Sequence, residues 1–168
     1  DGSELSLDTL LRLMITESDN TATNIVIDLL GMESINDYIR RGCYADTVLQ
    51  RKMMDMDAVF AGRDNYTSAP DLGHFFQKLY HHTCVSSALD AHMLAYLKEQ
   101  SDTECFPTAL PEATIAHKTG ELTRLYDDGG IIYMQDRDFI MIGMTENYSS
   151  RNKAIDTLRR MVRCAAEN

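Results

Sequence analysis

Lys118, Thr119, Gly120 and Glu121 follow one another at the end of an apolar run, Thr114-Ile115-Ala116. Such a run reads as a short strand, so the ammonium of Lys118 and the hydroxyl of Thr119 project from a strand end or edge. Gly120 leaves the backbone beside them open, because no side chain blocks a ligand or another chain segment. A cation and a hydroxyl beside an open edge suit a bound carboxylate or a developing oxyanion. Alone, Lys-Thr-Gly is a weak signal, and a solvated strand-end charge explains it equally well. It gains weight from Ser18-Asp19-Asn20, far upstream, which places a hydroxyl, a carboxylate and an amide in a row. By themselves those three residues read as helix caps.

The elements that must position these groups can be read from the pattern. Ser6 caps a helix carrying Leu7, Leu10, Leu11 and Met14 on one face and running to about Thr16. A second helix follows from Thr21 to Leu30, closed by Gly31, with Ile25, Val26, Leu29 and Leu30 expected in the core. Ser18-Asp19-Asn20 therefore occupies a tight connection between two helices, where short side chains are firmly aimed. Ser34 is expected to cap a helix ending at Gly42. From Cys43 periodicity fades; a turn at Leu49 to Asp55 and a long loop from Asp57 to Ser68 are expected, and a loop of that length is commonly functional. Helices begin again near Ser68 to Asp71 and at Ser86 or Ser87. Residues 101–112, with Pro107 and Pro111, form a connector. Strands are predicted over 114–122, from about Gly129 to Met134, and over 139–145, with a hairpin turn at Gln135 to Asp138. Apolar residues on both faces of the last two imply a sheet covered on both sides. A final helix starts near Ser149 or Ser150. Helices followed by a hairpin and a helix make the fold class α+β. The 168 residues form one domain, helical over 1–112, with strands and a terminal helix over 113–168.

Composition narrows the function further. The chain is 44% hydrophobic, enough for a real core, and its net charge is −10. That balance argues against nucleic acid and against an anionic membrane surface as partner. The cysteines, Cys43, Cys84, Cys105 and Cys164, lack metal-cluster spacing and read as buried free thiols, though a disulfide stays open from sequence. The histidines show no ligand spacing, and His81-His82 reads as a surface pair near a helix end. No metal site and no cofactor are expected. The chain opens on Asp1 without a basic-then-apolar leader, which suits either a processed protein or a piece of a longer one.

Ser-Asp-Asn between helices with Lys-Thr-Gly on a later strand resembles the class A β-lactamase and penicillin-binding protein family, in which these two motifs accompany Ser-x-x-Lys. The resemblance extends along nearly the whole chain. Met14 to Asn24 is similar to the family's helix-loop-helix, Leu49-Gln50-Arg51 to the opening of its omega loop, and Arg63 to Thr67 to that loop's exit. Arg151-Asn152 stands where the family starts its last helix. The resemblance implies roles. Ser18 would relay protons to the leaving nitrogen, and Asn20 would bind a substrate amide. Asp19 would hold the turn. Lys118 and Thr119 would bind the substrate carboxylate, with Gly120 leaving room, and the Glu121 N–H would supply half of an oxyanion hole. The expected substrate is a β-lactam or a cell-wall peptide, and the expected compartment is extracytoplasmic. The two motifs are expected to face each other across one cleft.

Three departures shape the expectation. First, Ser-x-x-Lys is absent upstream of Ser18, and the only literal match, Ser150-Arg151-Asn152-Lys153, is out of order and reads as a helix cap. The chain thus resembles a C-terminal fragment whose nucleophile lies elsewhere. Alone it should be inactive and should self-associate or pair with the missing segment, because the strand at 139–145 is left with an open edge. Second, Met53 stands where the family's deacylating glutamate follows the loop arginine, with Asp55 as the nearest substitute. Third, Gly129-Gly130 stands where many members carry an arginine, for which Arg124 would compensate. The parent is expected to be a serine β-lactamase-like hydrolase. The alternatives are a penicillin-binding or D-Ala-D-Ala peptidase relative that deacylates poorly, and a non-catalytic descendant that binds cell-wall peptide.

Overall fold

The computed structural model describes residues 4–168, and the chain divides into two compact units, one ending at Asp71 and one running Leu72–Asn168. The first unit holds α1 (Leu7–Thr16), α2 (Asn20–Leu30), α3 (Met32–Arg41) and the short α4 (Met56–Phe60). From the boundary onward come α5 (Ala69–Tyr80), α6 (Ser87–Lys98), α7 (Phe106–Ala109), β1 (Thr114–Leu122), β2 (Leu125–Tyr133), β3 (Asp138–Glu146) and α8 (Arg151–Glu167). This is the α+β order read from the sequence.

In the first unit Ser6 accepts from the Thr9 N–H at 3.1 Å and starts α1, as its hydroxyl predicts. Leu10 of α1 packs with Ala22 and Val26 of α2. Those two α2 residues lie four apart, on one helix face. Ile25, Leu29 and Leu30 were expected in the core but are 44%, 63% and 54% exposed. They lie on an α2 face that α1 does not cover. The third helix also begins earlier than Ser34 suggests. Gly31, at φ 79°, ends α2 and starts α3 without a side-chain cap, so one left-handed residue serves both helices. The expected long loop contains α4, capped by Asp55, whose carboxylate accepts from the Ala58 N–H at 2.9 Å.

In the second unit β2 is the middle strand of an antiparallel sheet ordered β1-β2-β3. It starts at Leu125 rather than near Gly129. Thr123 and the left-handed Arg124 (φ 62°) turn it straight back onto β1, so that Leu122 pairs with Leu125 and the register runs to Thr114 and Tyr133. The hairpin between β2 and β3 stands where the sequence placed it. Ile131 and Ile132 point to opposite faces and both are fully buried, so β2 is covered on both sides. Phe106 and Leu110, in and just after α7, join Tyr126 and Ile132 of β2 and Ile155, Leu158 and Val162 of α8 in the main core. The connector thus supplies core through a short helix that its prolines concealed. Ser150 caps α8, its hydroxyl 3.5 Å from the Lys153 N–H, which settles the out-of-order Ser-x-x-Lys match as a cap. Of the four cysteines, expected to be buried, only Cys105 is; Cys43 and Cys164 are exposed.

Gly130 is where the sheet is tightest. A Cβ there would stand 2.2 Å from the Ala116 carbonyl oxygen and 2.7 Å from the His117 Cα. Both obstacles are backbone, so nothing can yield without parting β1 from β2. Gly130→Ala should therefore destabilise the second unit by about 2–4 kcal/mol. Chemical denaturation of wild type and variant measures this, and equal midpoints would count against the close approach.

Candidate active site

The Ser-Asp-Asn stretch forms the turn between α1 and α2. Asp19 is the N-cap of α2, accepting from the Ala22 N–H at 2.7 Å, while its carbonyl accepts from the Thr23 hydroxyl at 2.8 Å. Asp19 thus holds the turn, the part the resemblance gave it. Ser18 sits at φ 54°, a left-handed conformation that an L residue other than glycine adopts at a penalty of roughly 1–2 kcal/mol. Ser18 is exposed, as is Asn20, the first residue of α2. Such a backbone fixes where the serine hydroxyl starts from.

One turn further along α2, Asn24 grips the loop. Its amide donates to the Met53 carbonyl at 3.0 Å and its oxygen accepts from the Met53 N–H at 2.8 Å. Asn24 lies four residues after Asn20 on the same helix face. Met53 is therefore held one turn from Asn20, in the position that the resemblance gives to a base. The loop neck is tied just as firmly. Arg51 pairs with Asp64 at 2.7 Å, Asn65 accepts from the Gln50 and Arg51 N–H groups, and Val48 pairs with Tyr66. The Arg51 guanidinium holds the Asp64 carboxyl below its ordinary range. Asp55, the substitute base suggested by sequence, spends its carboxylate on the α4 cap.

In the second unit Lys118, Thr119 and Gly120 lie on β1, an edge strand, as expected. Lys118 Nζ donates to the Thr119 carbonyl at 2.8 Å. Burial pushes the Lys118 ammonium below its ordinary range, while the carboxylates of Asp102 and then Asp128 act the other way. Glu121 is gripped by Arg151, which donates from Nε at 2.7 Å and Nη2 at 2.9 Å. The same guanidinium forks onto Glu104 at 3.0 and 2.8 Å and lies over the Tyr126 ring, 5.3 Å from its centre. Arg124 donates to the carbonyls of Asn147 and Tyr148 and ties the β1–β2 turn to the segment after β3. Gly129 and Gly130 are explained by space. A Cβ at Gly129 would come within 2.9 Å of Ile142, and one at Gly130 would meet β1 itself.

Sequence reasoning missed Glu104, the pairing role of Arg151, and His117 with Asp128. The last two form a buried pair across β1 and β2, 2.8 Å apart. Their signal was faint: an aspartate in a strand and a histidine before the lysine, with no spacing rule linking them. Among the described residues no group of His, Cys, Asp and Glu is arranged to hold a metal ion.

The Arg151 clamp has a measurable pH signature. Its hydrogen bonds hold the Glu104 carboxyl below the usual range. The pairing therefore adds stability above the carboxylate's unfolded pKa and loses it as pH falls through the folded value. Arg151→Ala should lower stability by only about 1 kcal/mol at neutral pH, because the partners are more than a third exposed and solvent screens them. The difference from wild type should shrink towards zero in acid. Denaturation at neutral and acidic pH checks this; a gap that widens in acid would refute it.

Comparison with known proteins gives a consistent picture. A family model described as the β-lactamase enzyme family matches residues 1–168. No curated protein sequence matches. The chain is similar to the crystal structure of a β-lactamase from Sphaerobacter thermophilus DSM 20745, with 30% identity and a TM-score of 0.86 over 96% of this chain and 64% of that one. It is also similar to PBP-A, at 29% identity and TM-score 0.85, over 98% of this chain and 63% of that one. A mutant of PBP-A, with the same figures, was solved as an acyl-enzyme complex with penicillin-G. The chain thus spans a little under two thirds of the length of these structures.

Proposed function

Because the chain belongs to the β-lactamase enzyme family along its whole length, we propose that it is the C-terminal part of a serine hydrolase that opens β-lactam rings through an acyl-enzyme. In this reading the nucleophilic serine lies outside these 168 residues. Its oxygen attacks the lactam carbonyl, the ring C–N bond breaks, and the nitrogen takes a proton relayed by Ser18. Asn20 binds the substrate amide, Lys118 and Thr119 hold its carboxylate, and the Glu121 N–H faces the oxyanion. Preorganised donors of this kind are worth roughly 3–4 kcal/mol of barrier each. The convergence of the serine turn and the lysine strand on one cleft is part of the proposal, as is an extracytoplasmic location.

The observation that carries it is the family match over both motifs, with Ser-Asp-Asn in a strained turn between helices and Lys-Thr-Gly on an edge strand. A second reading has its own support. Met53, held beside α2, takes no proton, and the Asp55 carboxylate accepts at the start of α4, so neither stands ready as the base for deacylation. That favours a penicillin-binding relative, which acylates and then stalls. The test is to expose the full-length protein to a fluorescent penicillin and to a chromogenic cephalosporin. Turnover supports the hydrolase, and a stable adduct without turnover supports the second reading. Failure to acylate at all would overturn both and leave a non-catalytic binder of cell-wall peptide.

A further inference from the structure

His117 and Asp128 are buried and take no part in the chemistry described above, being 2% and 1% exposed. In the register of β1 and β2, His117 pairs with Gly130 and Thr119 with Asp128, so His117 and Asp128 are diagonal neighbours on one face of the sheet. Asp128 Oδ1 accepts from His117 Nδ1 at 2.8 Å, and Oδ2 accepts from the Phe106 N–H at 2.9 Å. One carboxylate thus ties β1 to β2 and both to the start of α7. The backbone of His117 is pressed against Gly130, leaving no slack between the strands. Lys118 follows His117 directly and projects to the opposite face.

We propose that His117 and Asp128 are positioning residues for Lys118: the buried chain from Phe106 through Asp128 to His117 sets the register of the strand that presents Lys118 and Thr119 and keeps a carboxylate within reach of the Lys118 ammonium. A buried carboxylate is retained only where it is hydrogen-bonded and has a counter-charge within reach. Its surroundings name the candidates. The cation-capable groups that face it are on β1, His117 and Lys118; Tyr126 and Cys105 also stand near it, and Asp102 stands near Lys118 as a second carboxylate. Asp102 shares the work of opposing burial at Lys118. Asp102 lies in the connector and accepts from the Glu104 N–H and, at 3.4 Å, from the Tyr126 hydroxyl, whereas Asp128 stands on β2 itself and bonds across to β1 and to the start of α7.

This inference rests on Lys118 being the carboxylate-binding cation, and the experiment separates the two. In the full-length protein labelled with 13C-lysine, the Lys118 Cε titration is followed by NMR in wild type, Asp128→Asn, His117→Leu and His117→Asn. The acylation rate with a fluorescent penicillin is measured over pH in parallel. Asp128→Asn should move the Lys118 titration to lower pH and slow acylation about tenfold, the loss of one charge-assisted hydrogen bond. His117→Leu should slow it similarly. His117→Asn, whose amide N–H can take the place of Nδ1–H, should stay within about threefold of wild type. A folded Asp128→Asn with unchanged Lys118 titration and rate would overturn the proposal. If Asp128→Asn does not fold, equal rates for the two His117 variants would do so. If the wild type does not acylate, the reading of the site falls, and the NMR titration still decides the positioning claim.

Discussion

Met53→Glu in the full-length protein should raise the rate of deacylation by two to three orders of magnitude while leaving acylation within a few-fold of wild type. Asn24 grips the loop at this position. Both backbone groups of Met53 are bonded to that side chain, so a new residue at position 53 inherits a fixed origin one turn along α2 from Asn20. A thioether takes no proton, whereas a carboxylate at the same place can draw one from water. General-base catalysis of that kind contributes roughly 10²–10⁴-fold. Lifetime of the penicillin adduct, followed by intact mass spectrometry, is the direct measure. An adduct that persists unchanged in the variant would mean that the loop presents position 53 away from the acyl carbonyl. Asn24→Ala in the Met53→Glu background should then cancel most of the gain, since it frees the loop without touching the new carboxylate.

The helices and the hairpin of this chain were legible because each rests on a local rule. Ser6 caps the helix that its hydroxyl announces, and of the pairs Ser86/Ser87 and Ser149/Ser150 it is Ser86 and Ser150 that cap. The misreadings each have a physical cause. Gly31 reads as a stop, but its positive φ also launches α3, which no cap at Ser34 is needed to start. The start of β2 was hidden because Asp127 and Asp128 look like turn residues. Only their pairings across the sheet, to Thr145 and to His117, show why aspartates stand there. α7 was masked by Pro107, which is tolerated in a first helical turn.

At the site, the motifs themselves were readable and the network behind them was not. Ser18, Asn20, Lys118 and Thr119 stand in a fixed order that needs no coordinates to notice. Arg151 was legible only as the start of a helix. Its forks onto Glu104 and Glu121 span 47 and 30 residues, and no periodicity carries that distance. Arg124 is near the motif in sequence, but the turn that contains it directs its guanidinium to the carbonyls after β3, and no sequence rule names those partners. Long-range polar pairs are set by how the sheet closes, so a single sequence shows their members without their partners.

The exposed face of α2 leads to the other large effect. Ile25 and Leu29 lie four residues apart on one side of the helix, with Leu30 beside them, and all are more than two fifths exposed. The buried cluster that α1 and α2 share is small by comparison, so the stripe is unfinished core rather than ordinary surface. Covering each such side chain is worth about 1.5–3 kcal/mol. The chain on its own should therefore self-associate at tens of micromolar, and Ile25→Glu with Leu29→Glu should weaken that association by about a hundredfold or more. Sedimentation velocity over a concentration series measures it. In the full-length protein the same pair of substitutions should instead lower stability, because there the remaining third is expected to supply the cover. A wild-type chain that stays monomeric throughout the series would remove the basis for both expectations. Association that survives the α2 substitutions would move attention to β3, whose outer edge offers unpaired backbone groups to another strand. The two routes differ in what they require: a helix face needs apolar area and loses it to glutamates, whereas a strand edge needs backbone and is blocked by a proline at an outward-facing amide of β3.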